Sequence, residues 1–216
     1  MPSRSETRSY KLAPALRPLF GTGGPMAIDL FAGAGGISLG LMNAGFDVIF
    51  ASDISEQCAQ TYTRNFPGVE FHLGDIRDLQ GHALLHRFDL AEGDLDLLIG
   101  GPPCQGFSIL GQRNLKDPRN DLFQEFMRIA GELRPKIVAI ENVPGLATLH
   151  SGVLLRQIGD SFCELGYRVE CAELLAAQYG VPQMRWRMFF VAMRSDVGGG
   201  ADDASARRTS SVKPTR

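Results

Sequence analysis

A succession of short apolar runs, each ending in glycine, proline or a carboxylate, sets the narrowest limit on how this chain can fold. The runs cover residues 27–31, 47–53, 69–73, 96–99 and 136–140, with helical stretches at 37–44, 56–65, 121–133 and 150–165. Apolar runs this short read as strands rather than core helices. Strands that alternate with helices pair in parallel, because the helix carries the chain back to the same end of the sheet. The pattern predicts an α/β fold with a mostly parallel central sheet. The run Lys136-Ile137-Val138-Ala139-Ile140 is so apolar that it belongs inside that sheet. Two later runs, 167–175 and 187–193, predict an antiparallel hairpin at the C-terminal end. Residues 80–93 show no sustained period and read as a polar, irregular connector.

Composition fits one such domain. With 216 residues, 44% of them hydrophobic, the chain can bury one sizeable core. Residues 1–25, rich in Ser, Arg, Pro and Gly, read as a flexible leader, 26–194 as the folded domain, and 195–216 as a disordered tail without core-forming residues. The formal net charge of −2 neither requires nor excludes a nucleic-acid partner, since a basic patch can sit on a neutral protein. Cys58, Cys104, Cys163 and Cys171 make no CxxC pair and no zinc-site spacing, which predicts free thiols, no metal and a reducing compartment. The sequence contains neither an apolar run of membrane-spanning length nor a signal-peptide core, so the expected location is cytoplasmic.

Ligands of open α/β sheets bind beyond the carboxyl ends of the strands, so the residues that end each run are the candidate site. The first run opens into Ala32-Gly33-Ala34-Gly35-Gly36 and then a helix, an arrangement that either cradles a nucleotide-like ligand or is simply a tight βα turn. Asp53 ends the second run about 20 residues on, the spacing of a ribose-hydroxyl acceptor. Asp75 follows the third, where it can accept from an adenine amino group. Either aspartate can instead be a helix cap. The fourth run stops at Gly100-Gly101-Pro102-Pro103-Cys104-Gln105-Gly106-Phe107-Ser108, a stiff loop that positions its cysteine rather than burying it as a small hydrophobe. The loop at 114–120, with Arg113, Lys116 and Arg119 in or beside it, is either solvated or a basic flap that closes on a phosphate backbone. Glu141 ends the fifth run on the same rim, and a carboxylate at the end of a buried strand needs a partner or a task. Arg185 and Arg187 alternate along an extended stretch and therefore share one face.

Four stretches in this order closely resemble the cytosine-5 DNA methyltransferases: Asp29 to Gly36, Gly101 to Ser108, Glu141-Asn142-Val143, and Gln183-Met184-Arg185-Trp186-Arg187. The resemblance covers about residues 27–193. It implies a Rossmann-like S-adenosylmethionine-dependent methyltransferase fold, with S-adenosyl-L-methionine as cofactor and double-stranded DNA as partner. It further implies that Cys104 is a nucleophile towards carbon 6 of a flipped cytosine, that Glu141 faces the ring nitrogen N3, and that Arg185 and Arg187 hold the base and its phosphate. By similarity, Phe31, Gly33, Gly35, Asp53, Ile54, Asp75, Ile76, Gly101, Pro103 and Leu122 match cofactor-contacting positions. Gln105, Ser108, Asn142 and Arg113 match positions towards DNA. The family usually carries glutamate where Asp53 stands, one methylene longer.

The family pattern continues into a target-recognition domain, a further arginine motif and a last motif that returns to the cofactor pocket, none of which is found in these residues. The expectation is therefore a catalytic half, incomplete at its C-terminal side, with a second subunit or a missing segment supplying the rest. Two other readings stand beside it: a remnant that binds S-adenosylmethionine or a partner without catalysis, and a methyltransferase acting on cytosine in tRNA.

Overall fold

The structure, a computed structural model, describes residues 8–10, 23–103, 120–144 and 153–197. Its strands are β1 (Arg8–Tyr10), β2 (Met26–Leu30), β3 (Asp47–Asp53), β4 (Glu70–Leu73), β5 (Leu97–Gly100), β6 (Ile137–Asn142), β7 (Tyr167–Leu175) and β8 (Trp186–Arg194). They form one sheet in the order β1-β4-β3-β2-β5-β6-β8-β7. From β4 to β6 all pairs are parallel, as the alternation with helices requires. The last two strands run antiparallel, β8 on β6 and β7 on β8, so the predicted hairpin is present. Within the stretch read as a leader, β1 pairs antiparallel with β4, Tyr10 opposite Phe71.

Side chains alternate along β2 and so divide between two layers. Ile28 and Leu30 face one layer, where Phe126, Ile129 and Leu133 of α4 (Asn120–Leu133) and Ile158 and Phe162 of α5 (Val153–Glu164) close the larger core. Ala27 faces the other, under α1 (Gly36–Asn43) and α2 (Glu56–Asn65). Small residues on that face, Ala27, Ala51 and Ala139, leave room for Tyr62 and Phe71, whose ring centroids lie 4.8 Å apart.

The connector at 80–93 is not irregular. It contains α3 (Gly81–Phe88), whose Leu84 and Leu85 are buried. Its signal is faint because an eight-residue helix offers little more than two turns of period, and Gln80 supplies no side-chain cap. The cap comes from α4 instead: Glu132 accepts the Gly81 N–H at 2.5 Å. Strand β6 reaches Asn142, so Glu141 and Asn142 lie within the strand rather than after it.

The position of the site follows from strand order. β2 has β3 on one side and β5 on the other, so the order reverses there, and the loops after β2 and β5 part at their carboxyl ends. Leu30 of β2 pairs with Gly100 of β5, which pairs with Ile140 of β6, bringing all three ends to one level.

Candidate active site

The chain beyond Leu30 is bent hard. Phe31 has φ 59°, unusual for an aromatic residue, and Gly33 (φ 56°) and Gly35 (φ 94°) follow in the left-handed region. The turn hangs from the end of β3: the Ala32 N–H donates to the Ser52 carbonyl at 2.9 Å, and the Gly33 N–H to Asp53 Oδ2 at 2.9 Å. A Cβ on Gly35 would stand 2.3 Å from the Phe66 ring, whereas one on Gly33 or Gly36 meets nothing within 4 Å. The turn is packed beneath and open above. That is the shape a cradle for a ligand needs, with the first N–H groups of α1 beside it.

Asp53 braces the cradle. Its Oδ1 accepts the Ser55 N–H at 2.8 Å, while Ser55 itself caps α2 by accepting the Cys58 N–H at 3.3 Å. The cap role weighed for Asp53 thus falls to Ser55. A carboxylate has about four acceptor sites, so two backbone bonds leave Asp53 capacity for ligand hydroxyls. Ile54 beside it is 70% exposed, an apolar side chain on the rim of the crevice. Asp75 works locally: it caps the 3-10 turn Ile76–Asp78, accepting the Arg77 N–H at 2.9 Å and pairing with the Arg77 guanidinium at 3.0 Å. Ile76 is buried in the larger core, and Leu122 packs against the same cluster.

At the end of β6, Glu141 takes Arg187 Nε at 2.6 Å and Arg185 Nη2 at 3.7 Å on one carboxylate oxygen. The antiparallel register explains the meeting. Glu141 pairs with Phe189 and Asn142 with Met188, so the start of β8 and the residue just before it lie beside the end of β6. Arg185 and Arg187, two residues apart, project to the same side. Across the β5–β6 gap, a Cβ on Gly101 would lie 3.4 Å from Glu141 Oε2, so the loop leaving β5 begins beside that carboxylate. Asn142 turns inward and fastens this loop: its Nδ2 donates to the Pro102 carbonyl at 3.1 Å, and its Oδ1 accepts the Val143 N–H at 2.9 Å. Pro102 is buried and Pro103 exposed. Cys104, Gln105, Ser108 and Arg113 lie outside the described residues, as does most of the loop at 114–120. Among the described residues no His, Cys, Asp and Glu side chains cluster as metal ligands, and no helix is long and apolar enough to cross a membrane.

One polar cluster escaped the sequence reading. Asp29, Ser38 and Tyr62 are fully buried and hydrogen-bonded beneath the glycine turn. The signal was a carboxylate in the middle of the apolar run at 27–31.

A family model of C-5 cytosine-specific DNA methylases matches residues 26–213. The chain is 42% identical over 174 residues to Type II methyltransferase M1.HphI of Haemophilus parahaemolyticus, a match covering 79% of this chain and 46% of that protein. It is 41% identical over 172 residues to Type II methyltransferase M.XorII of Xanthomonas oryzae pv. oryzae, covering 79% of this chain and 41% of that protein. It thus spans less than half the length of these relatives. Type II methyltransferase M.AquIA of Picosynechococcus sp. is 37% identical, and there the match covers 77% of this chain and 71% of the relative. Among solved structures, a prophage-encoded Escherichia coli protein assigned as a DNA modification methyltransferase superposes with a TM-score of 0.67 at 34% identity, covering 79% of this chain and 47% of that one. The Dnmt2 methyltransferase of S. pombe shares the fold, with a TM-score of 0.64 at 24% identity over 88% of this chain and 58% of that one. The fold is accordingly that of the S-adenosylmethionine-dependent methyltransferases, and the chain belongs to the C-5 cytosine-specific DNA methylase family.

Proposed function

We propose that this chain is the catalytic part of a DNA (cytosine-5-)-methyltransferase, which transfers a methyl group from S-adenosyl-L-methionine to carbon 5 of a cytosine flipped out of double-stranded DNA. The observation that carries the reading is the end of β6. There Glu141, met by Arg185 and Arg187, adjoins the loop that leads from β5 to Cys104.

The glycine turn supports the cofactor assignment, since a Cβ at Gly33 or Gly36 enters open space and Asp53 retains free lone pairs. Phe31, Gly33, Gly35, Asp53 and Ile54 would line that site, with Asp75, Ile76, Gly101, Pro103 and Leu122 as its further contacts. When bound, the cofactor supplies a methyl group on a sulfonium, ready for a carbon nucleophile. The chain's own task is to create that nucleophile. The Cys104 thiolate forms a bond to carbon 6, and the carbon 5–carbon 6 π pair moves to carbon 5. Glu141, opposite ring N3, stabilises the charge that develops, and the two guanidiniums fix the carboxylate and hold the base and its phosphate. Once carbon 5 is methylated, loss of its proton restores the double bond and expels the thiolate. Gln105, Ser108, Asn142 and Arg113 are assigned to the DNA side, Asn142 through the Pro102 loop that it fastens. The flipped base follows from chemistry, because carbon 6 is out of reach inside a stacked duplex.

The reader of the target sequence is proposed to be supplied by a further segment or by a second subunit. Modification within a restriction–modification pair is the setting that the Type II relatives suggest.

The test is transfer of a labelled methyl group to unmethylated duplex DNA. Incorporation should fall to background in Cys104→Ser while affinity for S-adenosylhomocysteine stays within about twofold, because the nucleophile adds to the base and not to the cofactor. Equal incorporation by the variant would sink the mechanism.

A further inference from the structure

Asp29 is the penultimate residue of β2, on the face turned to α1 and α2, and it is 0% exposed. Its Oδ2 accepts the Ser38 hydroxyl at 2.6 Å, and Ser38 Oγ lies 2.7 Å from the Tyr62 hydroxyl. Its Oδ1, equally buried, has no hydrogen-bond partner. Burial pushes the carboxyl up to about 7, against the hydrogen bonds from the Ser38 side chain and backbone amide, and the charge of Asp53 adds to the rise. The groups packed around it are otherwise uncharged. Its strand neighbours are Ala51 and Ile99, α1 presents Ser38, and α2 presents Tyr62, whose own hydroxyl burial pushes up.

The location gives this cluster a purpose. Ser38 belongs to the first turn of α1, whose N-cap is Gly35, a left-handed residue with no side chain to satisfy the helix start. The Tyr62 and Phe66 rings press on Gly35 from below, the would-be Cβ lying 3.0 Å from Tyr62 and 2.3 Å from Phe66. Asp29 therefore caps α1 from the sheet, which leaves the glycine turn bare on its upper side. Proton counting then selects a state. With Asp29 ionised, Tyr62 donates to Ser38 and Ser38 to Asp29 Oδ2, so both hydroxyl donors find an acceptor and only Oδ1 is left bare. Protonation adds a third donor to a chain of two links, Asp29–Ser38 and Ser38–Tyr62, so one of the three O–H groups has no acceptor within it.

We propose that Asp29 is a positioning residue for the adenosyl cofactor: through Ser38 and Tyr62 it fixes the first turn of α1 and the glycine turn above it, and the turn accepts ligand when Asp29 is ionised. The inference rests on the cofactor reading of that turn.

Calorimetric titration with S-adenosylhomocysteine between about pH 6 and about pH 8 tests it. In the wild type, affinity should rise up to ~10-fold across that window, as the ionised fraction grows from roughly a tenth to nine tenths about a value near 7. Asp29→Asn should bind with no such rise. Tyr62→Phe keeps the ring packing and removes one donor, so its rise should move to higher pH with affinity near neutrality lowered ~5-fold. Ser38→Ala should do the same. If Asp29→Asn keeps the wild-type pH profile, the inference is overturned. Should that variant fail to fold, wild-type midpoint and affinity in both Tyr62→Phe and Ser38→Ala overturn it equally. A wild type that binds no S-adenosylhomocysteine at any pH refutes the cofactor reading itself, a result distinct from binding that ignores Asp29.

Discussion

Two adjacent glycines at the end of β5 have different work, and only one is there for close approach. A Cβ on Gly100 would stand 2.5 Å from the Leu30 carbonyl oxygen and 2.9 Å from the Phe126 ring, and the first of these atoms is backbone that cannot swing away. Gly100→Ala should therefore push β5 from β2. We expect a loss of about 1–3 kcal/mol and a melting temperature lower by roughly 2–10 °C in calorimetry. Gly101→Ala meets the end of the Glu141 side chain at 3.4 Å and the Glu141 carbonyl oxygen at 3.7 Å, neither an overlap, and should melt within about 2 °C of the wild type. Equal losses in the two variants would refute the distinction. Sequence reasoning treats both alike, because close approach depends on which strand lies alongside. It succeeds where a side chain ends a strand. A run end marks Glu141 and alternation puts Arg185 and Arg187 on one face, whereas their meeting within 3.7 Å depends on the antiparallel register of β6 and β8. Sequence reasoning also picks out Asp53, but not that Asp53 braces the glycine turn, which needs the parallel register of β2 and β3.

At the scale of elements, α3 shows what periodicity misses and what holds a short helix in place. It is too short to persist alone. Glu132 of α4 caps its start, and Arg128 ties Glu132 to Glu125 at 2.6 and 2.7 Å while its third contact reaches the Leu79 carbonyl at 2.8 Å. Arg128 and Gly81 together hold the Glu132 carboxyl below the usual carboxylate range, against the opposing effect of its partial burial. Glu132→Ala removes the cap and one of the two carboxylate partners of Arg128, which keeps Glu125, for a loss of about 1–2 kcal/mol. Hydrogen exchange locates the effect: amides of 81–85 should exchange faster while those of α2 are unchanged. Uniform acceleration across the domain would mean that α3 is not held by this contact. The cap was invisible in sequence because its acceptor lies 51 residues from the amide it serves. Strands β2 to β8 are legible because each carries its apolar signal within itself, as β6 does from Ile137 to Ile140, whereas β1, Arg8–Tyr10, has no apolar run and gives no such signal.

At the scale of the whole molecule, the sheet that assembles the site also buries an acid at its centre, and this must appear in the stability of the entire fold. The folded value of Asp29, about 7, lies above the 3.8 of an ordinary aspartate. Between those values the folded chain binds more protons than the unfolded one, so stability falls as pH rises from about 4 to about 7 and levels off above. A shift of this size corresponds to about 4 kcal/mol as an upper bound. His72 opposes it over part of that range. Burial lowers its value from 6.5, so protonation favours the unfolded chain and stability from this group rises with pH until about 6.5. The Asp29 slope is therefore clearest between about pH 6.5 and 7.5, and it is isolated by comparison with Asp29→Asn. Urea unfolding across about pH 5 to 8 should give a wild-type stability that declines, relative to the variant, as pH increases. Near pH 5 the wild type has a neutral carboxyl of the same shape as the amide, so the two should differ least there. At about pH 8 the variant should lead, because it no longer holds a charge in the interior. A difference that stays constant across the range would mean that Asp29 does not titrate on folding. A cofactor that takes only the ionised form must then recover this loss on binding, so the acid that weakens the free fold makes ligand-induced stabilisation grow with pH.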